Sequence, residues 1–310
     1  MRIVFMGTPE FAVTPLQCLL RNGFEVAAVY SQPDREAGRG RMLASPPVKI
    51  AAQNAGIPIY QPEKLRSAEE INHLASLKPD VIVVAAYGQI LKEAILNLPP
   101  YGCLNIHPSL LPQYRGVSPV TAAIRNGDEF SGVSIMQLDK GVDTGPVLGQ
   151  VKVRLADWDT TGTLTEKLSS IGGQLLIELL PRLIAGKLVP TPQDGKLASY
   201  TKKLEKADGE INWSKPAVEI WRQVRACQPW PGAFTHWQAK QLKIIEAVLL
   251  PGESTTRGRV ISLPGKPFLA VETAAGILGL VQVQMEGKRV MTGEEFLRGQ
   301  RQIIGCYLVE

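Results

Sequence analysis

Apolar runs and helical stripes alternate along the first half of the chain. After Pro9, apolar residues recur at the spacing of one helix face, as Phe11, Val13, Leu16 and Leu19 show. The apolar runs predict strands at residues 2–6, 26–30, 57–60, 81–86, 102–106 and 133–138. Nearly continuous apolar strands separated by helices are typical of a parallel sheet covered on both faces. We therefore predict a doubly wound, mostly parallel α/β sheet, which binds ligands beyond the carboxyl ends of its strands.

The pattern changes in the second half. A long helical stripe at residues 163–185 ends at Gly186, a frequent helix stop. Short apolar segments with frequent Gly and Pro turns then predict a small β-barrel, with strands at residues 233–238, 240–249, 258–263, 269–272 and 277–285. Between these parts lies a Pro- and Lys-containing stretch without periodicity. The predicted organisation is a first domain at 1–189, a linker at 190–207 and a second domain at 208–310.

The composition is that of an ordinary globular protein, with 310 residues of which 45% are hydrophobic and 20% charged. No apolar run approaches the roughly 20 residues that cross a bilayer. The N-terminus predicts a strand rather than a signal peptide. The four cysteines are far apart in sequence, which favours reduced thiols. These features predict a cytoplasmic protein with no membrane partner.

The charge is unevenly distributed. The first 186 residues carry 17 basic and 17 acidic side chains, whereas the remainder carries 17 basic and 12 acidic ones, so the net charge of +5 belongs to the C-terminal part. A basic region favours polyanionic partners, but an excess of this size is also common in proteins that bind none.

The densest polar cluster follows the strand predicted at 102–106. Asn105 and His107 are two residues apart on this strand, so their side chains project to the same face. This places an amide and an imidazole at the carboxyl end of the sheet, where a ligand is expected. A histidine satisfied by backbone groups beside a structural turn is the alternative.

A second cluster is the glycine-rich loop after the strand predicted at 133–138, which carries Asp139 and Asp143. Glycine-rich loops bring backbone groups close to a ligand, although Asp and Gly are also common in plain turns. No set of His, Cys and carboxylate residues has metal-ligand spacing, so no metal is expected. The first strand–helix turn has only Gly7 of the dinucleotide fingerprint, which argues against an NAD-dependent dehydrogenase.

Taken together, residues 105–112 (Asn-Ile-His-Pro-Ser-Leu-Leu-Pro) and 138–146 (Leu-Asp-Lys-Gly-Val-Asp-Thr-Gly-Pro) resemble the motifs of the folate-dependent formyltransferases. The resemblance extends to residues 5–12, 32–41 and 199–203. It implies a Rossmann-like sheet, an OB-like C-terminal domain and 10-formyltetrahydrofolate as formyl donor. Within the family, it points to the members that formylate initiator methionyl-tRNA, and it implies a monomer.

The resemblance also assigns roles to residues. It implies that Asn105, His107 and Asp143 are catalytic. Asn105 and a protonated His107 would stabilise the oxyanion, and Asp143 would hold His107 protonated or relay a proton through water. The expected folate contacts are Ser109, Leu110, Leu111, Pro112, Tyr87, Gly88, Gln89, Ile90 and Asp139. The expected tRNA contacts are Arg35, Arg39, Arg41, Lys202, Lys203 and Lys206.

Two other functions fit part of the sequence. A formyltransferase acting on an amino-sugar nucleotide or on glycinamide ribonucleotide shares the same catalytic residues. Such an enzyme has no use for the arginine-containing insert at residues 35–49 or for the basic C-terminal part. A non-catalytic RNA-binding protein has no reason to combine Asn105, His107 and Asp143.

Overall fold

The computed structural model describes residues 1–37, 42–254, 256–263 and 268–308. Its contacts divide the chain into two units. The first comprises Met1–Pro119, Phe130–Arg154 and Thr165–Thr201, and the second comprises Val120–Glu129, Leu155–Leu164 and Lys202–Glu310. The arginine-rich residues 38–41, which include Arg39 and Arg41, lie outside the described ranges.

The first unit contains eleven strands within the described ranges. They are β1 (Arg2–Gly7), β2 (Glu25–Tyr30), β3 (Arg35–Ala37), β4 (Met42–Ala44), β5 (Ile59–Tyr60), β6 (Val81–Ala85), β7 (Cys103–His107), β8 (Arg115–Gly116), β9 (Phe130–Gln137), β10 (Val147–Arg154) and β11 (Tyr200–Thr201).

Helices occur in both units. They are α1 (Val13–Arg21), α2 (Pro47–Asn54), α3 (Ala68–Ser76), α4 (Glu93–Leu96), α5 (Pro119–Asn126), α6 (Thr161–Ile184), α7 (Ala217–Ala226) and α8 (Gly293–Gly299). Short 3-10 turns occupy Glu10–Ala12, Gly195–Leu197, Lys206–Gly209 and Arg301–Ile303.

A seven-stranded sheet in the order β10-β9-β7-β6-β1-β2-β5 forms the centre of the first unit. Neighbouring strands from β7 to β5 are parallel, which confirms the prediction of a mostly parallel α/β sheet. β9 and β10 are antiparallel to their neighbours. The run at 133–138 was expected to continue the parallel series, but an apolar pattern reports burial and carries no information on strand direction. β10 was not predicted, because as an edge strand it is only partly buried.

The two faces of this sheet carry separate apolar clusters. Leu16 and Leu19 of α1 and Leu176 and Leu180 of α6 pack on one face. Leu74 of α3 and Ile95 of α4 pack on the other. Covering both faces explains why β6 is buried at every residue. Ligand access is therefore limited to the ends of the strands.

The second unit contains an antiparallel sheet. Its strands are β12 (Ala233–Trp237), β13 (Lys240–Leu250), β14 (Val260–Ser262), β15 (Leu269–Glu272), β16 (Ile277–Met285) and β17 (Met291–Thr292). The order is β12-β13-β16-β15-β14, with β17 also paired to β16. Ile220 of α7 and Phe296 of α8 belong to its apolar core. This arrangement confirms the expected β-rich C-terminal fold.

Within the described ranges, no helix combines the length and apolar character needed to cross a membrane.

Candidate functional site

The polar pair predicted on one face of a strand lies at the carboxyl end of β7. Asn105 and His107 are respectively 8% and 4% exposed. β7 lies between the parallel neighbour β6 and the antiparallel neighbour β9, so the pair is near the middle of the sheet edge where α/β proteins bind ligands.

Asp143 reaches this pair from the loop between β9 and β10. Its Oδ2 lies 3.7 Å from Nδ1 of His107, and its Oδ1 lies 3.5 Å from Nδ2 of Asn105. The backbone N–H of Gly116 donates to Oδ2 over 2.8 Å. The structure thus brings together the three residues that the resemblance marks as catalytic, and it adds the N–H of Gly116 as an anchor of the carboxylate.

The loop that carries Asp143 has an unusual backbone. Asp143 has a φ of 52°, in the left-handed region that non-glycine residues seldom occupy. At Gly145, a Cβ atom would lie 1.8 Å from the carbonyl oxygen of Gln137, so only glycine fits. Oδ1 of Asp139 accepts hydrogen bonds from the N–H of Gly141 and from the Thr144 hydroxyl. One oxygen of the exposed Asp139 carboxylate therefore stabilises the loop by accepting hydrogen bonds within it.

Burial has the largest effect on the pKa of His107. Removal from water lowers the pKa of the imidazole below 6.5, against the opposing effects of the Asp143 carboxylate and of a hydrogen bond to Tyr114. Nε2 lies 3.0 Å from the carbonyl oxygen of Tyr114. A carbonyl only accepts hydrogen bonds, so Nε2 carries the proton and Nδ1 presents its lone pair toward Asp143. The protonated imidazole that the resemblance implies stays a prediction, and burial of His107 opposes it.

A hydrogen-bonded network fixes the stretch from Ser109 to Pro112. The Ser109 hydroxyl donates to the carbonyl of Gln113, and the Ser134 hydroxyl donates to the carbonyl of Ser109. The N–H of Leu111 donates to the Ser134 hydroxyl. The Leu111–Pro112 peptide bond is cis. Ser109 and Leu111 are buried, whereas Leu110 and Pro112 are half-buried.

Sequence reasoning missed the residues that hold this stretch. Ser134 faces His107 in the β7–β9 register. Nε2 of Gln150, on β10, donates to the carbonyl of Leu111 and to the Ser134 hydroxyl. A hydroxyl in the mostly apolar strand at 133–138 was the available signal, whereas nothing in the local sequence indicates Gln150.

The stretch from Tyr87 to Ile90 follows β6 at the same sheet edge. The Tyr87 side chain is 1% exposed and lies in an apolar cluster, so only its backbone faces the edge. The Gln89 side chain accepts from the N–H of Leu65. Gly88 has a φ of 85°, and Ile90 is 87% exposed. In the described chain, the backbone of residues 88–90 makes no hydrogen bond to other backbone groups.

The residues expected to contact tRNA fall into two groups. Arg35 is exposed, and its guanidinium donates to Oε1 of Gln32. Lys202, Lys203 and Lys206 are also exposed, at the start of the C-terminal part of the second unit. Among the described residues, no three His, Cys, Asp or Glu side chains are grouped as a metal site would require.

Two family models match the chain. The model for "Formyl transferase" matches residues 1–180, and the model for "Formyl transferase, C-terminal domain" matches residues 203–301. Together they cover most of both units.

Curated proteins match over almost the whole length. A methionyl-tRNA formyltransferase of Dehalococcoides mccartyi is 49% identical, with 99% of this chain and 98% of that protein aligned. A methionyl-tRNA formyltransferase of Chloroflexus aurantiacus is 47% identical, with 96% of this chain and 97% of that protein aligned.

Solved structures share the fold at lower identity. The N-formyltransferase from Helicobacter canadensis, solved with folinic acid and dTDP-3-aminofucose, superimposes with a TM-score of 0.67. The match covers 90% of this chain and 98% of that one, at 22% sequence identity.

Proposed function

Because this chain belongs to the formyl transferase family, we propose that it transfers the formyl group of 10-formyltetrahydrofolate to the methionine amine of initiator methionyl-tRNA. The observation that carries the proposal is the 49% identity, over 99% of this chain, with a protein named methionyl-tRNA formyltransferase. The product is N-formylmethionyl-tRNA for translation initiation.

The sheet edge beside Asn105 suits the folate. The pterin ring presents both donors and acceptors, which the free backbone N–H and C=O groups of residues 88–90 complement. The Leu110–Pro112 stretch supplies apolar surface next to the catalytic residues, and its hydrogen bonds hold it in one conformation. Asp139 has one carboxylate oxygen left for a ligand.

Asn105 is the proposed oxyanion donor. The methionine amine attacks the formyl carbon, and the carbonyl oxygen becomes negatively charged in the tetrahedral intermediate. One N–H of the Asn105 amide faces Asp143, and the second is left to donate to that oxygen. Loss of such a donor typically lowers the rate by about 10²–10³.

His107 is the proposed proton carrier. Its Nδ1 is unprotonated in the resting protein, because burial lowers its pKa and Nε2 holds the proton. Nδ1 therefore accepts the proton that the attacking nitrogen loses. The same proton then passes to N10 of the folate as the C–N10 bond breaks, which restores the neutral imidazole.

Asp143 stabilises the imidazolium that forms during this transfer. A carboxylate within 3.7 Å of Nδ1 favours the charged ring at the moment the proton arrives. The distance exceeds that of a direct hydrogen bond, so the carboxylate acts on the ring through its charge.

The acceptor tRNA requires a basic surface. We assign Arg35, Arg39 and Arg41 to contacts with the acceptor end, and Lys202, Lys203 and Lys206 to contacts along the phosphate backbone. The exposed guanidinium of Arg35 and the exposed lysines support this assignment. We propose residues 1–189 as the catalytic domain and residues 208–310 as the tRNA-binding domain.

A competition assay tests the proposal. Purified protein receives 10-formyltetrahydrofolate together with methionyl-initiator tRNA, methionyl-elongator tRNA and an amino-sugar nucleotide at equal concentration. The expected product is formylated initiator methionyl-tRNA. Preferential formylation of the sugar nucleotide, or absence of folate-dependent turnover, would refute the proposal.

A further inference from the structure

A segment expected to link two domains lies against the loops that hold the catalytic residues. Thr191 and Val147 exchange two backbone hydrogen bonds of 2.8 Å each. The hydroxyl of Ser199 accepts from the N–H of Tyr114, and its carbonyl accepts from the N–H of Arg115. All these residues belong to the first unit. Thr191 and Ser199 therefore attach this segment to the loops of the first unit.

Gln193 makes the most direct contacts with the Asp143 loop. Its Nε2 donates to the carbonyl of Asp143 over 2.9 Å and to the carbonyl of Gly145 over 2.7 Å. Both N–H groups of the amide are thus used on either side of Thr144.

Arg115 fixes the opposite end of the same amide. Oε1 of Gln193 accepts from Nε and Nη2 of Arg115 over 3.1 and 2.8 Å. Arg115 is only 5% exposed, and its Nη1 donates to the hydroxyl of Tyr200. The following residue, Gly116, donates its N–H to the Asp143 carboxylate. Arg115–Gly116 and Gln193 therefore hold both the side chain and the backbone of Asp143.

The hydrogen bonds from Gln193 and Gly116 to Asp143 are important because of the backbone conformation of Asp143. Asp tolerates the left-handed region better than most non-glycine residues, but at a φ of 52° it still depends on surrounding contacts to select that conformation. We propose that Gln193 is a positioning residue, which keeps the Asp143 carboxylate directed at His107 by binding the carbonyls of Asp143 and Gly145. This inference rests on the proposed function, in which Asp143 acts on His107.

Two substitutions of Gln193 test whether it positions Asp143 or only stabilises the fold. Gln193→Glu retains an oxygen for Arg115 and adds a charge that pairs with it, but loses the amide donors to the two carbonyls. Gln193→Leu loses all four hydrogen bonds. We expect kcat for methionyl-tRNA formylation to fall about 10²-fold in both, since a displacement of about 1 Å has that effect. The KM values for folate and tRNA should stay unchanged.

Asp194→Ala is the matched control. The Asp194 side chain is exposed and caps the turn at Gly195–Leu197, so its removal loosens the same segment without touching the Asp143 loop. We expect wild-type kcat for this variant. An equal loss in Asp194→Ala would mean that the integrity of the segment, rather than the Gln193 amide, is what matters, and it would overturn the inference.

A double-mutant cycle gives the second readout. If Gln193 acts through Asp143, Gln193→Glu should lower the single-turnover rate no further in an Asp143→Asn background. Additive losses, or a wild-type kcat in Gln193→Glu, would overturn the inference. Should Gln193→Leu fail to fold, the Gln193→Glu results decide alone. Failure of the wild-type protein to formylate methionyl-tRNA would instead refute the proposed function.

Discussion

The two ring nitrogens of His107 face different partners. Nε2 lies 3.0 Å from the carbonyl oxygen of Tyr114, and Nδ1 lies 3.7 Å from Oδ2 of Asp143. The first contact fixes the tautomer, and the second places a carboxylate where a proton would arrive. In the proposed mechanism, the imidazole accepts a proton on Nδ1 and releases it again.

Replacement of His107 tests its role as proton carrier. We expect His107→Ala to fold normally and to lower kcat by about 10²–10⁴, the range that positioned proton transfer contributes. Folate binding, measured by calorimetry, should persist. His73→Ala is the control, since His73 contacts Tyr30 and Tyr60 rather than Asn105 or Asp143 and its loss should leave kcat unchanged. A wild-type rate in His107→Ala would end the catalytic assignment.

The pKa of His107 should be observable. Burial holds this pKa below 6.5, and the Asp143 carboxylate opposes that effect. An NMR titration should show one imidazole, absent from the spectrum of His107→Ala, that titrates below the ordinary value. Asp143→Asn should lower the pKa further, because the favourable charge is lost. A rise in the pKa of that variant would contradict the electrostatic account.

The same shift predicts how stability depends on pH. The unfolded chain protonates His107 near pH 6.5, whereas the folded protein does so only at lower pH. The contribution of His107 to the free energy of unfolding is therefore present above pH 6.5 and is lost as the pH falls from there toward the folded pKa. Denaturant unfolding of wild type and His107→Ala at pH 7.5 and 5.5 should reveal a smaller decrease in the variant.

Gly145 tests the tight packing of the Asp143 loop. A Cβ atom here meets the backbone of Gln137, so Gly145→Ala should destabilise the protein by on the order of 1–3 kcal/mol. The loop must move, so kcat should also fall. Gly195→Ala is the matched control, because a Cβ atom there meets nothing within 4 Å. Equal thermal stability and kcat in the two variants would contradict the described packing.

Salt dependence tests the lysines assigned to tRNA. Formylation of methionyl-tRNA should weaken steeply with salt, because each phosphate contact releases counterions. Replacing Lys202, Lys203 and Lys206 together by Ala should reduce the slope of log kcat/KM against log salt concentration by about two to three. Folate binding serves as the control and should not change. An unaltered slope would remove these lysines from the tRNA interface.

Arg39 lies outside the described ranges. Its assignment to tRNA stays a prediction that rests on the sequence resemblance alone.

The sequence by itself determined the α/β architecture and the placement of Asn105 beside His107. Buried strands and amphipathic helices leave periodic patterns, and the two-residue period of a strand places Asn105 and His107 on one face. Both properties follow from local geometry. The resemblance is likewise carried by short contiguous motifs. It therefore marked Asp143 but not the residues that hydrogen-bond to it, Gly116 and Gln193.

Tertiary structure alone decided the lowered pKa of His107, the left-handed backbone of Asp143 and the hydrogen bonds that Gln193 makes. Each depends on residues far apart in the chain: burial removes water from the imidazole, and an amide 50 residues away binds the Asp143 carbonyl. The antiparallel direction of β9 is similarly a matter of chain path. Such contacts arise only when distant segments pack together, so no local pattern records them.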